Sequence, residues 1–362
     1  MTVSSGGFTY NYLLNGITGT YTVKVMDGAT LLASETFTDH TSSTLQINNN
    51  DAAVHTLSVT LTVAWTGSGG DPTQARFVNV TPTALGCPSP LDPSWSPWVA
   101  TSPPSPDTFS WTMAAGDTGH RKVCAQTGHG PLGSPTPGET LTADDTIWYT
   151  VANPALADSC GLDMVLVLDS SGSINATELT QMKSAFNAFV AAFLPETPTE
   201  MAVVDFDTSA AVIQPFTSSE ATLNTAINSV ASGGATNWDD ALFDARGLPH
   251  RPTKPDLMVF ASDGNPNTRG GHIYPGHSPV TVAVTEQEAM DHATDEADEA
   301  KLDSIRILGL GIGSDLDVVN MKAITGNTSH PPSPISPSVD VITTDFSTLA
   351  ADLAALAAEL CG

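Results

Sequence analysis

Basic residues are scarce in this chain. It has 12 Lys plus Arg against 39 Asp plus Glu in 362 residues, a formal net charge of −27. The acidic count is ordinary for the length, so the imbalance comes from missing bases rather than added carboxylates. Neutralising a phosphate backbone needs a basic stripe, and this sequence has none, which excludes nucleic acid as a partner. Positively charged or metal-bridged partners are favoured electrostatically. No apolar run reaches the ~18 residues that a bilayer-crossing helix requires, so no membrane span is expected in this segment. There are 4 cysteines, none in the C-x2-C spacing of a structural zinc site. A G-x-x-x-x-G-K-[ST] phosphate loop is missing, as are a Ser/His/Asp arrangement and a catalytic cysteine. The chain therefore reads as a non-enzyme.

What is present suits an exported protein. Charged residues are 14% of the chain, and Thr, Ser, Gly and Ala abound. The order of the cysteines suggests the disulfides Cys87–Cys124 and Cys160–Cys361 among three possible connectivities, with four buried thiols as the alternative. The second pair would close the start of the C-terminal half onto its end. The opening Met1-Thr-Val-Ser-Ser-Gly-Gly lacks the apolar stretch of a signal peptide. The expectation is an extracellular or cell-surface segment, an interior piece of a larger surface protein.

Residues 1–158 read as β-structure without helical periodicity. Tyr21–Val25 alternates, Asp27-Gly28 signals a tight turn, and Leu31–Phe37 alternates again, which predicts a hairpin. Leu57, Val59, Leu61, Val63 and Trp65 form a period-two stripe. Arg76–Val80 and Thr146–Val151 are further strands, and residues 82–106 form a Pro- and Ser-rich loop. The fold class expected here is an all-β, Ig-like sandwich: residues 1–40 as a hairpin ending one repeat, and 41–158 as a sandwich-like domain. From residue 159 to 362, apolar strand runs alternate with helical periods. Asp163–Leu168, Met201–Phe206, Leu257–Ser262, Arg306–Leu310 and Val339–Ile342 read as strands, with Ala211–Pro215 at an edge. Helices are predicted at Glu178–Leu194, Ala221–Val230, Trp238–Ala245, Thr285–Leu302 and Phe346–Leu360. That alternation predicts a doubly wound α/β domain with a sheet covered on both faces.

The string Val165-Leu-Val-Leu-Asp169-Ser-Ser171-Gly-Ser173 ends a buried strand on a carboxylate, with two hydroxyls at alternate positions. In an open α/β sheet, ligands sit beyond the carboxyl ends of the strands. Carboxylate plus hydroxyl oxygens are the ligand set of a hard cation. A capping role for Ser171 or Ser173 is the plain alternative. Two other junctions bring oxygen ligands to equivalent places: Gly233-Gly-Ala-Thr236-Asn-Trp and Phe260-Ala-Ser-Asp263-Gly264.

On these strings, residues 160–361 resemble the von Willebrand factor A family with its metal-ion-dependent adhesion site. Ile307-Leu-Gly-Leu-Gly-Ile-Gly313 and Asp345-Phe-Ser-Thr-Leu349 are similar to its fifth strand and the start of its last helix. The resemblance implies a divalent metal, Mg2+ with Mn2+ or Ca2+ as alternatives, held by Asp169, Ser171, Ser173, Thr236 and Asp263. It also implies an adhesion or protein-recognition module, similar to multidomain prokaryotic surface adhesins, whose protein ligand offers an Asp or Glu carboxylate to the metal. The competing reading is a subunit or repeat of an extracellular filament in which the metal only stabilises the fold.

Other signals carry plainer expectations. Asp239 either tunes the site or supports a helix N-terminus. His272 and His277 are read as ordinary surface residues rather than a second metal site. The acids of Asp291–Asp303 are read as the solvated side of a helix that packs through Ala289, Ala293, Ala297 and Ala300. Trp95 and Trp98 are read as anchors of the proline-rich loop.

Overall fold

A computed structural model describes residues 161–194, 196–272, 279–330 and 335–361. Of the first 156 residues it describes 2–4, 7–9, 19–27, 30–39, 44–47, 54–56, 58–66, 72–80, 87–89, 91–102, 104–112, 119–134 and 141–156. The chain divides into two compact units. One comprises residues 1–51, 60–110 and 122–145, and the other residues 52–59, 111–121 and 146–362.

The first unit is built from strands. Gly19–Asp27 and Thr30–Asp39 pair antiparallel as the expected hairpin. Thr44–Ile47 pairs with Ser58–Thr66, where Leu61, Val63 and Trp65 are buried and Thr62 and Ala64 less so. Burying one face of this alternating segment is what fixes its register. Gln74–Val80 pairs antiparallel with Gly119–Gly128, placing Val78 opposite Cys124. Cys124 is disulfide-bonded to Cys87. Beside this bond Trp95 is buried, its indole N–H donating to the Ser89 carbonyl at 3.0 Å. The Arg76 guanidinium lies over the rings of Trp95 and Trp98, 4.9 and 4.5 Å from their centroids. Both tryptophans thus hold the proline-rich loop, as expected. Cys160 and the Cys361 side chain lie outside the described residues, and so does His277.

The second unit is an α/β sandwich. Its strands are β1 (Asp163–Asp169), β2 (Glu200–Phe206), β3 (Ala210–Thr217), β4 (Asp256–Ser262), β5 (Arg306–Ile312), β6 (Ser329–His330) and β7 (Val341–Thr344). They run in the order β3-β2-β1-β4-β5-β7-β6, all parallel except the antiparallel edge strand β3. Its helices are α1 (Ala176–Phe193), α2 (Glu220–Ser229), α3 (Trp238–Arg246), α4 (Glu286–Leu302), α5 (Val318–Ile324) and α6 (Leu349–Cys361). Helix α5 and a two-residue ribbon, Thr268–Arg269 with Val282–Ala283, go beyond the sequence expectations.

The period of two in β1 explains the layers. Met164, Leu166 and Leu168 face a core with Phe186, Phe189 and Phe193 of α1 and Leu353 and Leu356 of α6. Val165 and Val167 face the other core, with Trp238 and Leu242 of α3, Ala293 and Ala297 of α4, and Met321 of α5. A strand buried on both sides reads as a continuous apolar run, as this one does. Residues 151–154 belong to this unit. The Asn153 side chain donates to the Ile307 carbonyl at 2.7 Å and accepts from the Ile307 N–H at 3.0 Å, adding an edge contact outside the strand ladder.

Two sequence expectations are corrected. The acidic run of α4 is not uniformly solvated, because Glu296, Asp298 and Lys301 are buried with its alanines. Lys301 donates to Asp298 at 3.1 Å, and Asp298 also accepts from the Val151 N–H. His272 is not a surface residue but is buried against Phe243, ring stacked on ring at 4.0 Å between centroids. Helical spacing reports which face packs on the sheet, whereas α3 and the loop after β4 bury part of the polar face as well.

Candidate metal centre

Strand β1 has β2 on one side and β4 on the other, so the chain's order reverses across β1. The carboxyl ends of strands flanking such a switch diverge and leave a crevice. Asp169 closes β1 at this point and is fully buried. Its Oδ1 accepts the Ser171 N–H at 2.8 Å and its Oδ2 accepts the Ser262 hydroxyl at 2.5 Å. The Ser171 and Ser173 hydroxyls are 2.9 Å apart, and Ser173 donates to Asp263 Oδ1 at 2.8 Å. Four of the expected residues are thereby linked from the end of β1 to the residue after β4.

The loop that carries Thr236 meets the loop after β1 through Gly233 and Gly234. The Gly172 N–H donates to the Gly234 carbonyl at 3.2 Å, and the Gly233 N–H to the Ser170 carbonyl at 2.8 Å. These bonds seat the second loop on the first. Gly234 has φ +75°, and a Cβ there would lie 2.6 Å from Thr208 Oγ1. Thr236 itself is buried, its N–H donating to Asn267 Oδ1 and its carbonyl accepting from the Asn267 and Thr268 N–H groups.

Helix capping belongs to Asn175 and not to the two serines. Its Oδ1 accepts from the Thr177 and Glu178 N–H groups, and Glu178 reaches back to the Asn175 N–H. That capping box starts α1 two residues beyond Ser173 and leaves both hydroxyls for the loop. Ser262 was not singled out from sequence. Buried at the end of β4, it takes the Trp238 indole N–H at 3.2 Å and donates to Asp169. Its position next to Asp263 was the available signal. Asn267, which binds Thr236, had no comparable signal.

Burial raises the Asp169 carboxyl to about 7, with the nearby Asp263 pushing the same way and hydrogen bonds from Ser262 and Ser171 opposing. Asp263 is raised as well, by burial first and then by Glu178 and Asp315, against its bond from Ser173. Two carboxylates whose ionisation is disfavoured, beside neutral hydroxyls, form a donor set that a hard divalent cation would complete. The residues present therefore fit a hard divalent cation of the class that the family resemblance implies.

Asp239 lies in the first turn of α3. As an acid in that turn it supports the helix N-terminus, as one of the two expectations had it, while the cap itself is Asn237, which accepts the Asp240 N–H. Asp239 Oδ2 accepts the Gly270 N–H at 2.7 Å, holding the loop after β4. His272 sits above it with Nδ1 3.1 Å from Asp240 Oδ1. Burial opposes a proton on His272, but Asp240, Glu296 and Asp239 outweigh it and raise the imidazole to about 9.

Among the described residues no helix is long and apolar enough to cross a membrane. The family model described as von Willebrand factor type A domain matches residues 164–265, which span Asp169, Ser171, Ser173, Thr236 and Asp263. A comparison with curated protein sequences finds no match. Among solved structures, proximal thread matrix protein 1 from the mussel byssus is 22% identical over 57% of this chain and 47% of that chain, with a TM-score of 0.42. One structure of that protein is described as having a zinc-occupied MIDAS motif. The present chain thus spans about half the length of the mussel protein. The vWF domain of the type V pili tip protein Mfa5 from Porphyromonas gingivalis is 16% identical over 56% of this chain and 95% of that one, with a TM-score of 0.44. A minor pilin from Streptococcus sanguinis is 12% identical over 80% of this chain and 88% of that one, with a TM-score of 0.42.

Proposed function

The chain carries a von Willebrand factor type A domain, and on that basis we propose that it is an extracellular adhesion or protein-recognition module that uses a divalent metal, Mg2+, to bind a carboxylate of a partner protein. The observation that carries this reading is the convergence at the β1–β4 crevice. Buried Asp169 and the linked series Ser171, Ser173 and Asp263 put two carboxylates and two hydroxyls at the adjoining ends of β1 and β4. Asp169, Ser171, Ser173, Thr236 and Asp263 would hold the ion. A divalent cation in such a set supplies an electrophilic position where an oxygen of the partner can replace water.

The chain's own residues do the positioning. Ser262, anchored by Trp238, orients the Asp169 carboxylate, and the Asn175–Glu178 box keeps α1 from consuming the serine hydroxyls. Recognition of this kind needs no chemical turnover, and the reading is non-enzymatic. The strands of residues 1–158 are read as an Ig-like spacer that presents the A-type domain, and Cys160–Cys361 as a clamp between its ends.

The test is capture of the chain on immobilised cell-surface and extracellular-matrix proteins, in Mg2+ and in EDTA, with wild type and Asp169→Ala. Capture that is lost in EDTA and in the variant supports the reading. A partner that is bound equally in EDTA and by Asp169→Ala refutes the metal bridge and favours the filament-subunit reading.

A further inference from the structure

A second cluster lies beneath the loop that follows β4. His272 Nε2 stands 3.7 Å from Asp239 Oδ1 and 3.7 Å from Glu296 Oε1. The three ligand atoms lie within 4.8 Å of one another, and all three residues are buried. They come from three separate elements: the first turn of α3, the loop after β4 and the middle of α4. We propose that His272, Asp239 and Glu296 form a second metal site, distinct from the Asp169 crevice, that takes a zinc-like transition-metal ion.

The geometry argues for a metal in three ways. First, the 3.7 Å spacing is close to the edge of a tetrahedron around zinc, about 3.3–3.4 Å for bonds of 2.0–2.1 Å. Second, each ligand residue has its other polar atom held by an outer partner. His272 Nδ1 is 3.1 Å from Asp240 Oδ1, Asp239 Oδ2 accepts the Gly270 N–H at 2.7 Å, and Glu296 Oε2 is 3.3 Å from Arg246 Nη2. Outer carboxylates and amides of this kind fix the tautomer and aim of metal ligands. The stacked Phe243 ring fixes the imidazole plane as well. Third, three carboxylates, from Asp239, Asp240 and Glu296, are buried around one imidazole, and they outnumber the cations there, which are a protonated His272 and an Arg246 guanidinium shared with Glu299 and Asp303, so a metal taking the place of the His272 proton would offset the excess. Burying net negative charge is costly without a cation.

The donor set also separates this site from the first. An imidazole nitrogen with carboxylates suits zinc, cobalt or nickel, whereas Mg2+ prefers oxygen alone. Asp169 and the loop serines contribute nothing to it, so the two sites load independently. The role that follows is structural. An ion here would tie α3, α4 and the loop after β4 together, and Thr236 in turn is bonded to Asn267 and Thr268 of that loop.

The experiment titrates the metal-stripped full chain carrying Asp169→Ala with Zn2+, reading bound zinc by equilibrium dialysis, and with Co2+, reading visible absorption. The expected result is retained zinc binding and a Co2+ band of low-symmetry, nitrogen-containing coordination. Adding His272→Gln should weaken zinc binding by about a hundred-fold and abolish the band. Adding Glu296→Gln serves the same purpose if His272→Gln does not fold. The proposal is overturned if folded Asp169→Ala binds no zinc, or if zinc affinity is unchanged by the folded ligand variants. Because Asp169 is absent throughout, a failure here is separate from a failure of the Mg2+-bridge reading, which is scored on partner capture.

Discussion

Gly234 is where the loop after β1 meets the loop that leads into α3, and replacing it with alanine tests how the second loop is seated. The residue has φ +75°, and a Cβ would meet Thr208 Oγ1 at 2.6 Å and Asp207 Cγ at 2.9 Å. The left-handed conformation costs an L-residue about 1–2 kcal/mol. The Thr208 hydroxyl must also move, losing the bond it accepts from the Ala235 N–H at 2.9 Å, which is about 1 kcal/mol more. Gly234→Ala should therefore destabilise the domain by about 2–3 kcal/mol. Thr236, a proposed ligand, lies two residues on, so under the proposed function Mg2+ affinity should fall together with stability. At the neighbouring Gly233 a Cβ would meet no atom within 4 Å, and φ there is not positive. Gly233→Ala should stay within about 0.5 kcal/mol of the wild type. Urea unfolding in metal-free buffer measures the stability change, and calorimetric titration with Mg2+ measures the affinity. Equal effects of the two substitutions, or a Gly234→Ala shift below about 0.5 kcal/mol, would refute the argument from crowding and positive φ.

Other perturbations address the rest of the molecule. Arg251 binds Asp163 through its side chain and backbone N–H and also donates to the Leu162 and Pro198 carbonyls. Arg251→Met leaves the buried Asp163 carboxylate with the backbone N–H but without the guanidinium and should cost about 3–5 kcal/mol in urea unfolding; a change below about 1 kcal/mol would mean the carboxylate is otherwise compensated. Closing the 37-residue separation between Cys87 and Cys124 should stabilise the first unit by about 2–4 kcal/mol, read as a lower melting point in the Cys87→Ser, Cys124→Ser double variant. Burial pulls the Lys301 ammonium below its ordinary 10.5, with Asp298 opposing. The unfolded chain therefore keeps this proton to higher pH than the folded chain does. Stability must rise as pH climbs from the folded value towards about 10.5, and wild type should gain on Lys301→Met across that window. A constant difference between the two proteins would contradict the sign.

The candidate metal crevice was legible because the residues proposed to hold the ion are punctuation on strong local patterns. Asp169 and Asp263 each terminate or follow an unbroken apolar strand, and Gly233-Gly234 precedes a helix start. The cluster around His272 was not legible, since its members are separated by 33 residues between Asp239 and His272 and by 24 between His272 and Glu296. Each, taken alone, has a surface residue's composition. Ser262 and Asn267 were overlooked for a related reason: a serine or asparagine near a strand end is common, and only its partner gives it a role. The acids of α4 looked like a solvated face because periodicity assigns one buried stripe, to the sheet, and gives no sign of a second neighbour.

The sequence by itself determined the layering of the α/β unit, through period-two strands and 3.6-residue helical spacing, and it determined which loops end at the crevice. These follow from local steric and hydrophobic preferences that act along neighbouring residues. Only the tertiary structure decided that Ser173 donates to Asp263, that Ser262 holds Asp169, and that His272 turns inward among three carboxylates. Those contacts join residues far apart in the chain. They exist because strand order brings β1 beside β4 and because α3 packs against α4, and a buried charge or hydroxyl then takes the partner that this packing puts within reach.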